Sequence, residues 1–224
     1  MAETQAPGVK PRSYYQKDRS DFVEWIGGQY RRVLEVGCGA GMNAPLFRRL
    51  SAEHIVGIEP DKESATAAMQ GFDVVYARRV EDTLDELQGP FDLIVCADVL
   101  EHLADPWGVL LRLRQLAHQQ TCLAISIPNI RHYRAILQLA FGEGFRYQDE
   151  GTFDRTHLRF FTRANIAEML AGTGWDPSRW SGSRVGRLAG VLHRLAWLGG
   201  DRADEFLNYQ WYVAASLATQ HELR

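Results

Sequence analysis

Between Arg32 and Ile127 the chain alternates short runs of β-forming residues with stretches of helical spacing. The runs are Arg32–Val36, His54–Glu59, Phe72–Tyr76, Phe91–Cys96 and Cys122–Ile127, and the helical stretches between them include Ala44–Leu50, Lys62–Met69 and Pro106–Ala117. Strands that each return through a helix do not pair as hairpins. They lie parallel in one sheet with helices on both faces. The fourth run is almost continuously apolar, which places it at the centre of that sheet.

Composition sets outer limits. The 224 residues are 46% hydrophobic and 24% charged, a globular balance with enough apolar surface for one ordinary domain. Lys and Arg number 25 against 28 Asp and Glu, a formal charge of -3, so no general basic field marks a nucleic-acid binder. Cys38, Cys96 and Cys122 lie in or beside apolar runs and read as buried free thiols, not as a disulfide framework or a structural zinc site. The first residues lack the apolar core of a secretory signal. The apolar-rich stretch Leu188–Leu198 is interrupted by His193 and Arg194 and is too short for a transmembrane segment. A cytoplasmic location is the expectation.

The flanks are less regular. Residues 1–12 hold two prolines and no periodic pattern and read as a flexible leader, with a single domain over 13–224. Tyr15, Phe22, Trp25 and Ile26 recur at helical spacing, which predicts a lead-in helix over Tyr14–Ile26. After Pro128 the rhythm breaks. Residues 129–161 are polar and aromatic and too long for a plain connector, so they read as an acceptor or lid insertion. A helix over Arg163–Leu170, a second irregular insertion over Ser178–Asp204 and a last strand over Tyr209–Ser216 complete the chain. Within the second insertion Val185, Leu188, Val191, Leu192, Leu195 and Leu198 keep helical spacing beside Arg184, Arg187 and Arg194. A lid over the sheet is the favoured reading. A homodimer contact, a membrane surface and an anionic substrate are the others.

The first strand runs into Glu35-Val36-Gly37-Cys38-Gly39-Ala40-Gly41-Met42-Asn43 and then a helix. Alternate glycines let the backbone turn sharply and admit a ligand where a Cβ would collide. A dinucleotide fingerprint wants glycine or alanine three residues after the second glycine, and that position is Met42. Twenty residues beyond Gly39, the second strand ends in Glu59-Pro60-Asp61. A carboxylate there can accept both hydroxyls of a ribose lying across the strand ends. The plainer reading is a cap for the following helix.

VLEVGCGAG, VGIEPD and FDLIVCADVLEHL, in that order over about Tyr14 to Ile127, resemble the class I S-adenosylmethionine-dependent methyltransferases. The resemblance implies an α/β Rossmann-like fold: a seven-stranded, mostly parallel sheet with an antiparallel last strand and helices on both faces. It implies S-adenosyl-L-methionine as cofactor. By position, Gly37, Cys38, Gly39, Gly41 and Asn43 would lie along its methionine portion with Glu35 near the ammonium. Glu59 and Pro60 would hold the ribose, Val80 and Glu81 would border the adenine, and Ala97 and Asp98 would border the amine. Tyr14 and Tyr15 resemble lead-in tyrosines that close over the cofactor; the alternative is one packed and one exposed ring.

A sulfonium is already electrophilic, so the protein chiefly aligns the nucleophile, while an alcohol also needs a base or a metal to lose its proton. Asp98, Glu101 and His102 stand at i, i+3 and i+4, which would place them on one face of a helix. His157 follows the fifth strand. This set resembles the metal pattern of small-RNA 2′-O-methyltransferases and, less closely, of ubiquinone-pathway O-methyltransferases, with Asp98 where a glutamate is usual. It implies Mg²⁺ or another divalent cation as a second cofactor held by Asp98, Glu101, His102 and His157. The equal alternative is metal-free, with His102 or His157 as catalytic base or orienting group. The segments Tyr147–Gly151 and Thr156–Thr162 resemble the acceptor region of bacterial methyltransferases of polysaccharide and natural-product glycosylation. The partner is then a small, polyhydroxylated acceptor methylated on oxygen. The rivals are an N- or RNA-methyltransferase and a non-catalytic cofactor-binding subunit.

Overall fold

The first strand forms because Val33 and Leu34 can each be buried on an opposite face of one sheet, and both are fully buried. In the computed structural model, which describes residues 19–142, 144–183 and 205–218, this is β1 (Arg32–Val36). It is followed by α2 (Ala44–Arg49), β2 (His54–Ile58), α3 (Lys62–Ala68), β3 (Val74–Tyr76), β4 (Phe91–Ala97), α4 (Pro106–Gln115) and β5 (Ala117–Pro128). A helix α1 (Ser20–Ile26) precedes β1. The later elements are α5 (Tyr133–Phe141), α6 (Arg163–Gly172), β6 (Trp175–Ser183) and β7 (Gln210–Leu217).

The seven strands form one sheet in the order β3-β2-β1-β4-β5-β7-β6. β1 pairs in parallel with both β2 and β4, so the winding direction reverses between β1 and β4. That reversal opens a crevice beyond the carboxyl ends of these strands. β7 is antiparallel to β5 and to β6. One face of the sheet buries Leu34 and Ile94 with Leu110 and Leu113 of α4 and Ile166 and Leu170 of α6. The other buries Val33, Ile55 and Leu93 with Phe22 of α1, Phe47 of α2 and Ala68 of α3. The Rossmann-like α/β expectation matches this architecture.

Three local expectations are corrected. Residues 129–161 are not wholly irregular, because they contain α5, whose Leu137 and Phe141 face outward and so give no burial pattern to read. The first part of the stretch assigned as irregular from Ser178 is strand β6, held by pairing to β7 despite its polar sequence and a register shift between Pro177 and Arg179. The third strand begins at Val74, since Phe72 is buried in the core and Asp73 accepts the Ile55 N–H at 2.6 Å. Residues 1–12, Tyr14, Tyr15 and the 184–198 segment lie outside the described residues. Among the described residues no helix is long and apolar enough to cross a membrane.

Candidate active site

The loop from β1 to α2 turns through Gly37, Gly39 and Gly41, with φ of 73°, 52° and 81°. At Gly37 a Cβ would come within 2.5 Å of Val99 Cγ2, so glycine lets the two strand ends approach. At Gly41 a Cβ would meet the backbone of Ala68. Gly41 therefore seats the loop on α3, and the crevice is lined by Gly37, Cys38 and Gly39 instead.

That crevice measures about 430 Å³. Glu35, Asn43, Glu59 and Pro60 line one part, Val80 and Glu81 another, and Ala97 and Asp98 a third. Glu35 is 1% exposed, and its Oε1 accepts from the Asn43 amide at 2.6 Å. Glu35 Oε2 and Asn43 Oδ1 are buried with no hydrogen-bond partner. Burial pushes the Glu35 carboxyl up to about 8, against the Asn43 hydrogen bond, and nearby Glu59 adds to the rise. Two orphaned oxygens in a crevice wall ask for a donor with several N–H groups, and an ammonium meets that demand. These acceptors fit the ammonium of S-adenosylmethionine.

Glu59 is 4% exposed at the end of β2. Its Oε2 accepts the Gly39 N–H at 3.0 Å and its Oε1 the Asp61 N–H at 2.9 Å. Burial raises its pKa despite both bonds. These backbone donors fix both oxygens in place, and each retains acceptor capacity for a hydroxyl. Helix capping falls to Asp61, which accepts from Ser64 N at 2.8 Å. Cys38 is buried, and burial raises its thiol pKa far above neutrality, so it packs as a thiol.

Beyond β4 the chain departs from expectation. Asp98 takes φ 54° and the helical turn is a 3₁₀ turn over Leu100–His102, so the i, i+3, i+4 face does not form. Asp98 accepts from Ser126 Oγ at 2.8 Å and from Gln210 Nε2, and it pairs with Arg19. Asp98 is thus not in the cluster expected to hold a metal. Glu101, His102 and His157 are, with ligand atoms all within 4.8 Å of one another. The His102 Nδ1 faces the Thr156 carbonyl at 3.2 Å and the His157 Nδ1 faces the Thr152 carbonyl at 3.1 Å. Only a protonated Nδ1 can bond a carbonyl, so in the neutral rings the lone pair sits on Nε2. The rings meet edge to face with centroids 4.7 Å apart.

These groups line a second pocket of about 100 Å³ together with Asp154, Tyr209 and Gln210. Arg19, Asp98 and His102 line both pockets, so the two are contiguous. Arg19 lines both pockets although no motif marked it. Arg19 fell within the expected lead-in helix but sits at the N-terminal cap of α1, and no spacing in the sequence singles it out. Of the two adjacent phenylalanines, Phe161 is buried in the core, whereas Phe160 packs edge to face on Phe145 and His157.

A sequence profile described as a methyltransferase domain matches residues 10–178. The chain belongs to this methyltransferase family. It is a class I S-adenosylmethionine-dependent methyltransferase. Among curated relatives, the ubiquinone biosynthesis O-methyltransferase of Aeromonas salmonicida is 29% identical over 68% of this chain and 68% of its own length. Its namesake in Bordetella avium is 28% identical over 77% of this chain and 74% of its own. In fold, the methyltransferase resembles a SAM-dependent methyltransferase from Archaeoglobus fulgidus at TM-score 0.66 and 15% identity, covering 92% of this chain and 94% of the other. It also resembles magnesium protoporphyrin IX methyltransferase from Synechocystis, with bound S-adenosylhomocysteine, at TM-score 0.59 and 16% identity, covering 92% and 83%.

Proposed function

We propose that this methyltransferase methylates an oxygen of a small acceptor bearing neighbouring hydroxyls, of the sugar or catechol type. The observation that carries the reading is the 100 Å³ polar pocket, with Glu101 and two imidazoles in its wall, opening beside the crevice. It has room for a headgroup about the size of one ring. The curated relatives named above as O-methyltransferases support the same chemistry.

When bound, S-adenosylmethionine supplies the electrophilic methyl group. In this reading Glu35 and Asn43 take the ammonium, Glu59 the ribose hydroxyls, and Val80 with Glu81 the adenine edge. Asp98 stands where the two pockets join, with Ala97 beside it in the crevice. Holding the acceptor oxygen in line there supplies most of the acceleration, up to about 7–11 kcal/mol for a well-aligned pair. Glu101, His102 and His157 offer one oxygen and two nitrogen ligands, a donor set suited to a divalent cation, which when held would acidify a bound hydroxyl. Without a cation, the Nε2 of His102 or His157 serves as the base.

Mass spectrometry across sugars, glycosylated metabolites and catechols tests the reading, with and without Mg²⁺. A gain of one methylene unit on a hydroxyl acceptor is expected. Methylation confined to nitrogen or to RNA would overturn it, and so would cofactor binding with no turnover on any acceptor.

A further inference from the structure

Both imidazoles of the acceptor pocket are held by the backbone of one loop, 152–157. His157 bonds the carbonyl of Thr152, and His102 that of Thr156. A backbone carbonyl fixes a ring only if the residue that bears it is itself fixed. Thr156 is fixed twice, because its N–H donates to Asp154 Oδ1 at 2.9 Å and its hydroxyl to the same oxygen at 2.8 Å. Asp154 is 1% exposed. The loop is tied in turn to the 3₁₀ turn, with the N–H groups of Leu158 and Arg159 both donating to the Glu101 carbonyl at 2.8 and 3.0 Å.

We propose that Asp154 is a positioning residue that acts through Thr156 to set the tautomer and orientation of His102. The carboxylate pins Thr156 at its N–H and hydroxyl, and the His157 N–H, on the peptide that carries the Thr156 carbonyl, bonds the Asp154 carbonyl at 3.0 Å; that Thr156 carbonyl takes the His102 Nδ1–H, and the Nε2 lone pair is thereby presented to the acceptor pocket. An asparagine, the isosteric neutral side chain, would lack the charge with which one Asp154 oxygen grips both donors of Thr156. Groups that orient a ligating or basic histidine in this way typically matter by about 10- to 100-fold. The proposal rests on the reading of His102 as an acceptor-side group.

The test uses protein labelled with ¹⁵N-histidine and long-range proton–nitrogen correlation, which reports the His102 tautomer without any acceptor. The wild-type protein should show Nδ1 protonated and Nε2 not. Asp154→Ala should mix the tautomers, Thr156→Val should mix them partly, and Thr156→Ser, which restores the hydroxyl, should return the wild-type pattern. In parallel, Asp154→Ala should lower kcat by about tenfold or more while calorimetric affinity for S-adenosylhomocysteine stays within about twofold. An unchanged His102 tautomer in Asp154→Ala overturns the proposal. If Asp154→Ala does not fold, Thr156→Val against Thr156→Ser decides alone, and identical His102 spectra for that pair overturn it. A normal tautomer response in a protein inactive on every hydroxyl acceptor would instead sink the proposed function and leave the positioning intact.

Discussion

Glu59 Oε2 accepts the backbone N–H of Gly39 at 3.0 Å, which ties the end of β2 to the middle of the glycine loop. The bond joins two walls of the crevice, so the proposed ribose acceptor and the glycine turn are held as one unit. Replacing Glu59 by Ala removes the proposed ribose acceptor and leaves the Gly39 and Asp61 N–H groups without their partner. A lost hydrogen bond to a charged group is worth about 1.5–3 kcal/mol, so affinity for S-adenosylmethionine should fall by at least about tenfold. Isothermal calorimetry checks this, and unchanged affinity would remove Glu59 from the ribose site.

Glu35 makes a pH prediction whose sign follows from burial. Its carboxyl is raised from 4.5 to about 8 in the folded protein. Between those values the folded state keeps a proton that the unfolded chain has lost. The group's favourable contribution is therefore complete below about pH 4.5 and disappears as pH climbs towards 8. Glu35→Gln has no such slope. Without cofactor, the variant should gain on the wild type through this window, by on the order of a few kcal/mol at its upper end. It should also bind cofactor more weakly. Urea unfolding at intervals from pH 5 to 8.5 measures the difference, and parallel stability profiles would contradict the assigned shift.

The acceptor pocket divides binding from chemistry. His157 lines that pocket and not the cofactor crevice. His157→Ala should lower kcat by about a hundredfold, the lower end for losing a proton acceptor, with cofactor affinity nearly unchanged. Equal turnover in the variant would take His157 out of the reaction. Treatment with EDTA decides between the two uses of the cluster. Loss of activity that returns with Mg²⁺ supports a held cation, and full activity in excess chelator leaves the imidazoles as bases.

What could be read from the sequence and what could not follow one physical division. The β1 and β4 runs are buried on both faces, so apolar continuity located them, and the glycines declared their turn because few other residues hold a positive φ. Glu59 was legible through its position at a strand end. The misses lie where tertiary contacts overrule local pattern. α5 turns Leu137 and Phe141 to the surface, β6 is polar and owes its form to β7, and Asp98 leaves helical geometry to meet Ser126 and Gln210, which are remote in sequence. The service of Asp154 to His102 runs through a backbone carbonyl, and no residue spacing encodes that.

Gly37 separates steric from conformational demands. Its added Cβ would press on Val99 Cγ2, and its φ of 73° would be strained for any L side chain. Gly37→Ala should destabilise the protein by about 1–2 kcal/mol from the left-handed conformation, with the clash adding to it. Val99→Ala removes the atom that is struck but cannot change φ. In the double variant the clash should vanish while the conformational cost stays, so the two substitutions will be less destabilising together than their sum. A double-mutant cycle by denaturant unfolding measures this. Strict additivity would mean that Val99 moves aside freely, and that the close approach of the β1 and β4 ends is not what requires glycine at this turn.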